Sequence, residues 1–188
     1  MRLYRSFRSL PDAPSATPRA VAIGVFDGLH VGHQAILRRA CEAAREHRGS
    51  SLVLTFEPTP KEFFSPTTAP PRLTRFRERF ELLADLGLDE LLCPRFETVR
   101  GIAAEDFIDD LLVRRLGAKE VIVGDDFRFG ADRQGTIAEL ERRGRPHGMR
   151  VTQVPPVFRH GERVSSTAVR EVLRAGDLAA ARAMLGRD

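Results

Sequence analysis

Four stretches of this chain hold residues whose types and spacing could do chemistry. The first is GVFDGLHVGH, Gly24 to His33, in which His30 and His33 flank Gly32 at the start of a helical pattern. A helix N-terminus offers free N–H groups and a partial positive charge, so two imidazoles beside it border a pocket for a polyphosphate. Gly28 permits a sharp turn, and Gly32 permits close approach of backbone to a ligand. The stretch has neither the Walker A nor the dinucleotide GxGxxG spacing. The plain alternative is that both histidines are capping or surface residues.

The second stretch is VSSTAVREVL, Val164 to Leu173. Ser165, Ser166 and Thr167 are hydroxyl residues suited to cap a helix. Arg170 follows Thr167 by three, which brings it to the same helix end. Hydroxyls, free N–H groups and a guanidinium together favour phosphate; taken alone, an N-cap followed by an exposed arginine explains the stretch equally well. The third is TFEPTPKEFF, Thr55 to Phe64, where Pro58 and Pro60 stiffen a loop and Phe63 and Phe64 add ring surface. Such a loop can wall a flat ring system, with at least one of the two phenylalanines expected in the core. The fourth is VGDDFRFGADRQG, Val123 to Gly135, with acceptors at Asp125 and Asp126 and ring faces at Phe127 and Phe129. Its plain reading is a tight turn with solvated aspartates and one phenylalanine plugging the core. No carboxylate pair, Ser-His-Asp set or Cys-His set declares itself.

These stretches need elements to hold them. AVAIGVF (20–26), SLVLTF (51–56), 89–93 and EVIVG (120–124) read as short buried strands. Helical spacing runs over 32–47, 74–86, 102–117 and 136–147, with two closing helices over 167–174 and 177–185. One more strand and a hairpin turning at His160-Gly161 fit residues 149–165. Residues 1–19 form a proline-containing leader with room for a short strand at Arg2–Phe7. The proline- and threonine-rich stretch 57–73 can be neither a strand nor a long helix, and a loop of that length inside a compact domain is usually functional. Alternating strands and helices predict an α/β fold, a mostly parallel sheet with helices on both faces. Ligands then sit at the carboxyl ends of the strands, where the first, third and fourth stretches fall.

Composition narrows the function. The 188 residues are 42% hydrophobic, enough for one domain with a real core, and no apolar run has the length of a membrane span. The basic N-terminus lacks the apolar core of a secretory signal, so a cytoplasmic protein is expected. Cys41 and Cys93 lack partners at zinc spacing and read as buried free thiols. The net charge is +4, almost all the cations are arginine, and Lys61 and Lys119 are the only lysines. Acids interrupt the arginines, which weakens a nucleic-acid reading.

Taken together, the four stretches resemble the adenylyltransferase module of the prokaryotic bifunctional riboflavin kinase/FAD synthetase family, from about Val21 onward. GVFDGLHVGH paired with SSTAVR is similar to the wider HxGH nucleotidyltransferases, while TFEPTPKEFF and GDDFRFGADRQG are specific to the flavin branch. The resemblance implies a Rossmann-like nucleotidyltransferase fold that transfers AMP from ATP to FMN, giving FAD and pyrophosphate, with Mg²⁺. It places the ATP site on Gly24, Phe26, Asp27, His30, Gly32 and His33, with Asp27 as the candidate metal residue. It places a second phosphate clamp on Ser165, Ser166, Thr167 and Arg170, with His30, His33, Ser166, Thr167 and Arg170 as the catalytic set. The flavin side falls on Pro58, Pro60, Phe64, Asp126 and Phe129. Many members have histidine between the two prolines, where this chain has Thr59. The family continues into a β-barrel riboflavin kinase after an LLGR-like helix, whereas this chain ends at MLGRD. The expectation is one adenylyltransferase domain over 1–188, without riboflavin kinase activity, acting on ATP and FMN with neither nucleic acid nor membrane as partner. Two other readings are a nucleotidyltransferase for a non-flavin phosphate acceptor and an arginine-rich nucleotide- or RNA-binding module.

Overall fold

The computed structural model describes residues 1–11 and 17–187. Part of the expected leader, residues 12–16, lies outside the described residues. The centre of the fold is a six-stranded sheet in which every pairing is parallel. Its strands are β1 (Arg2–Tyr4), β2 (Arg19–Ile23), β3 (Ser50–Leu54), β4 (Glu90–Leu92), β5 (Ala118–Gly124) and β6 (Arg150–Val154), in the order β1-β4-β3-β2-β5-β6. The expected short N-terminal strand is therefore β1, an edge strand beside β4. A separate two-stranded hairpin, β7 (Phe158–Arg159) and β8 (Glu162–Arg163), turns through His160 and Gly161.

Alternation along the strands sorts side chains to the two faces. Val21, Ile23, Leu52, Leu54, Val121 and Val123 point into one core. It is covered by α4 (Ala104–Asp106), which continues as a π-helix over Phe107–Arg115, and by α5 (Ile137–Gly144). Ala20, Ala22, Val53 and Ile122 point into the other core, covered by α1 (Val31–Glu46) and α3 (Phe76–Asp85). The expected two-sided α/β architecture is present. The widened winding at Phe107–Arg115 was not expected, because the apolar spacing over 102–117 does not distinguish π from α. Cys41 and Cys93 are buried free thiols. Among the described residues no helix is long and apolar enough to cross a membrane.

Chain order fixes where a ligand can enter. From β2 the chain crosses through α1 to β3 on one side, and later returns to β5 on the other side of β2. The sheet order reverses at β2, and a crevice opens beyond the carboxyl end of a strand at such a switch point. The residue that follows β2 is Gly24. The strand stops there rather than at Phe26, because Phe26 and Leu29 both take left-handed backbone angles, with φ of 54° and 39°.

Candidate active site

The loop after β2 is shaped by contacts that its sequence dictates. Gly28 has φ of +81°, and a Cβ there would come within 2.7 Å of Leu73 Cδ1. Phe26 is 1% exposed, and its ring covers Gly24, where a Cβ would stand 3.0 Å from Phe26 Cζ. Left-handed backbone at a bulky residue is strained and persists only when packing holds it. Here the buried Phe26 ring supplies that packing, so Gly24 and Phe26 shape the loop.

His30 caps α1, its Nδ1 accepting from His33 N–H at 3.3 Å. The capping role considered for the histidines is thus real for His30, and it fixes the neutral ring's proton on Nε2. The ring stacks on His33 with centroids 3.6 Å apart, while Phe26 meets His33 edge-on at 5.3 Å. His33 Nδ1 is sealed from solvent with no hydrogen-bond partner. Gly32 makes room for this stack, since a Cβ would lie 3.2 Å from the His30 ring. Burial pushes the His30 pKa down to about 4, against the opposing pull of Asp27. Burial, reinforced by His30, also pushes His33 down. Both imidazoles are therefore neutral near pH 7 and act as donors and acceptors rather than cations.

The second histidine-independent stretch folds onto the same loop. α6 (Ser166–Arg174) is capped by Ser165, whose Oγ accepts from Ala168 N–H at 3.1 Å. Ser166 Oγ donates to the Asp27 carbonyl at 2.9 Å. The Val164 carbonyl faces Gly32, 3.8 Å from where a Cβ would be. The tips of α1 and α6 are therefore neighbours, as a shared phosphate site requires. A final helix, α7 (Leu178–Leu185), packs with α6 against Val31. Thr167 is exposed on the first turn of α6.

Two expected roles change. Arg170 is buried and ion-paired with Asp27, and it also donates to the Pro71 carbonyl at 2.7 Å and the Ser166 carbonyl at 3.0 Å. It bolts α6 to the loop rather than presenting a free guanidinium. Asp27 in turn accepts from Leu73 N–H and Thr74 N–H at 3.0 Å, besides Arg170. Its carboxylate is saturated, so the metal role expected for it has no open lone pair. Among the described residues no cluster of three or more His, Cys, Asp or Glu could hold a metal ion.

The flavin-side stretches build a neighbouring wall. Thr59 caps the short helix α2 (Pro60–Phe64): its Oγ1 accepts from Glu62 N–H, and Glu62 accepts from Thr59 N–H at 2.8 Å. This is the S/T-x-x-E capping box, with Pro60 in the first turn. The Arg72 guanidinium, paired with Glu57 and Glu62, holds the Glu62 carboxyl down at about 2. Buried Arg79 pairs with Glu57 and donates to the Val25 carbonyl at 3.1 Å, tying this wall to the loop after β2.

Behind α2 lies a largely apolar cavity of about 640 Å³, lined by Phe56, Pro60, Phe64, Phe96, Phe107 and Phe129 among others. Phe64 is 63% exposed and free to face a ligand, whereas Phe63 is half-buried against Phe96. Neither is a core residue, contrary to expectation; the plug is Phe129, at 6% exposure. Two expected members lie outside the lining. Pro58 holds the approach to α2, and Asp126 is turned to solvent and paired with Arg163 at 3.7 Å. Phe96 and Phe107 were missed, because each sits in an otherwise ordinary stretch. A smaller cavity of about 210 Å³, bordered by several charged side chains, adjoins the first and reaches Asp27, Ser166 and Arg170. His30 and His33 line neither cavity, whereas Asp27, on the same loop, and Ser166, at the tip of α6, line the smaller one.

The chain has relatives among known proteins. The FAD synthetase family model matches residues 12–168. The chain belongs to the FAD synthetase family. It is 42% identical over 187 residues to the bifunctional riboflavin kinase/FMN adenylyltransferase of Escherichia coli K12, covering 99% of this chain and 59% of that protein. The protein of the same name from Pseudomonas fluorescens is 43% identical over 188 residues, covering 100% of this chain and 60% of its own. The chain thus spans about three-fifths of the relatives it matches. Among solved structures, one described as a macrolide-efflux protein from Streptococcus pneumoniae superposes with a TM-score of 0.84 at 27% identity, over 98% of this chain and 59% of that one. A pantoate-β-alanine ligase from Francisella tularensis shares the fold, with a TM-score of 0.56 at 15% identity over 93% of this chain and 79% of its own. Both neighbours share the expected α/β architecture, a mostly parallel sheet with helices on both faces.

Proposed function

We propose that this chain transfers AMP from ATP to FMN, forming FAD and pyrophosphate. The observation that carries the reading is the junction of two unlike cavities. An aromatic one suits a flat ring, and a smaller one bordered by charged side chains reaches the loop after β2 at Asp27 and the start of α6 at Ser166. A flavin phosphate seated at their junction would face a nucleotide held at the helix tips. The kinship with proteins named FMN adenylyltransferase supports the same substrates.

In this reaction the FMN phosphate oxygen attacks the α-phosphorus of ATP. The bond to the bridging oxygen breaks, and its electron pair leaves with pyrophosphate. The attacking oxygen is already anionic, so the protein's task is placement and stabilisation of charge. His30 Nε2–H, the N–H groups at the start of α1 and the first turn of α6 supply neutral donors to the phosphates. Ser166 and Arg170 hold Asp27 and keep the two tips in register. The residues present do not make a protein cage for Mg²⁺, so we assign that ion to the nucleotide's own phosphates. We place the reaction in the cytoplasm.

The test is direct. Purified chain is incubated with FMN, ATP and Mg²⁺, and flavins are separated by chromatography. FAD and an equal amount of pyrophosphate are expected. FMN returned unchanged, with another phosphate acceptor adenylylated instead, would replace this reading.

A further inference from the structure

We infer that Lys61 and Arg133 together hold the acceptor's phosphate and so make the enzyme select a phosphorylated flavin over a dephosphorylated one. The inference rests on the adenylyl-transfer reading above and names two residues that the motif reading left out.

The geometry of the cavities carries it. The larger aromatic cavity and the smaller one share four lining residues: Pro60, Lys61, Pro70 and Arg133. Two are prolines and two are cations. A molecule with its ring in the first cavity and its reacting oxygen directed to the second must pass its phosphate through this boundary.

Charge bookkeeping singles out the same pair. Four cations line the smaller cavity: Lys61, Arg72, Arg133 and Arg170. Arg72 is neutralised by Glu57 and Glu62, and Arg170 by Asp27. Lys61 and Arg133 have no ion-pair partner among the described residues, and both side chains are exposed. They also come from different connections. Lys61 stands on α2, and Arg133 on the loop after β5, with a left-handed φ of 57°. An ammonium and a guanidinium that border the same boundary can each give a charge-assisted bond to one dianion, while a neutral hydroxyl in its place would leave them unpaired.

Flavin fluorescence quenching tests this on the purified chain, titrated with FMN and, separately, with riboflavin. The wild-type chain should bind FMN at least about tenfold more tightly than riboflavin, the value of one or more charge-assisted bonds. In the Lys61→Gln/Arg133→Gln double variant that preference should collapse toward one while riboflavin affinity stays unchanged. KM for FMN should rise and KM for ATP should not. Replacing the second change, as Lys61→Gln/Arg133→Lys, should restore part of the preference. A preference for FMN that survives in the double variant, with the wild type making FAD normally, overturns the inference alone. A wild type that binds neither flavin overturns the functional reading and this inference with it.

Discussion

An imidazole that accepts a helix N–H through Nδ1 loses that bond when it takes a proton there. His30 is in this position, and it is also buried against His33. Its folded pKa of about 4 lies below the ordinary 6.5, so the unfolded chain binds more protons between those values. Stability is therefore complete above about pH 6.5 and is lost as pH falls toward 4, by on the order of 3 kcal/mol from this residue. Thermal melts from pH 7 to pH 4.5 should show the loss, and His30→Gln should flatten it. A profile identical in the variant would remove His30 from this account. His33, which burial also holds neutral, adds to the loss on acidification; in the proposed reaction it is a second donor to the phosphates. His33→Ala should lower turnover about a hundredfold or more, the cost of one preorganised donor, with circular dichroism unchanged.

At the scale of elements, the meeting of the loop after β2 with α6 depends on the Asp27–Arg170 pair. Removing one member of a buried pair leaves an uncompensated charge and typically costs about 3 kcal/mol or more. Arg170→Met should therefore shift the urea midpoint strongly, and it should weaken activity through misplacement of α6. If the midpoint holds while activity vanishes, Arg170 touches substrate instead. This distinction shows what the sequence could and could not reveal. The residues of both helix tips were legible, since histidine, serine and glycine at those spacings speak for themselves. Whether Arg170 faces a ligand or Asp27 depends on a contact 143 residues apart in the chain, which no local pattern encodes. Thr59 was legible in principle, because T-P-K-E spells a capping box. Phe96 and Phe107 were not, because a cavity wall assembled from separate connections has no spacing of its own.

At the scale of the whole molecule, one buried ion pair lies at the end of the sheet away from the candidate site. Arg19 and Glu90, at the starts of β2 and β4, form a buried ion pair at 3.1 Å, and Ser50 donates to the same carboxylate at 2.6 Å. Glu90→Gln should lower stability by about 3 kcal/mol in denaturant titration. KM for both substrates should be unchanged, because the site lies at the other ends of the strands; a shifted KM would show that the two ends are coupled. The two halves of the cleft are similarly divided. The phosphate half is made by the chain leaving β2 and by α6, and the ring half by connections leaving β3, β4 and β5. Both halves are bordered by α2, through Pro60 and Lys61, and by the connection after β5, through Arg133. Redesign for a new acceptor could therefore vary the connection after β4 freely, but a library that leaves α2 and Arg133 untouched would keep the old spacing between ring and reacting oxygen.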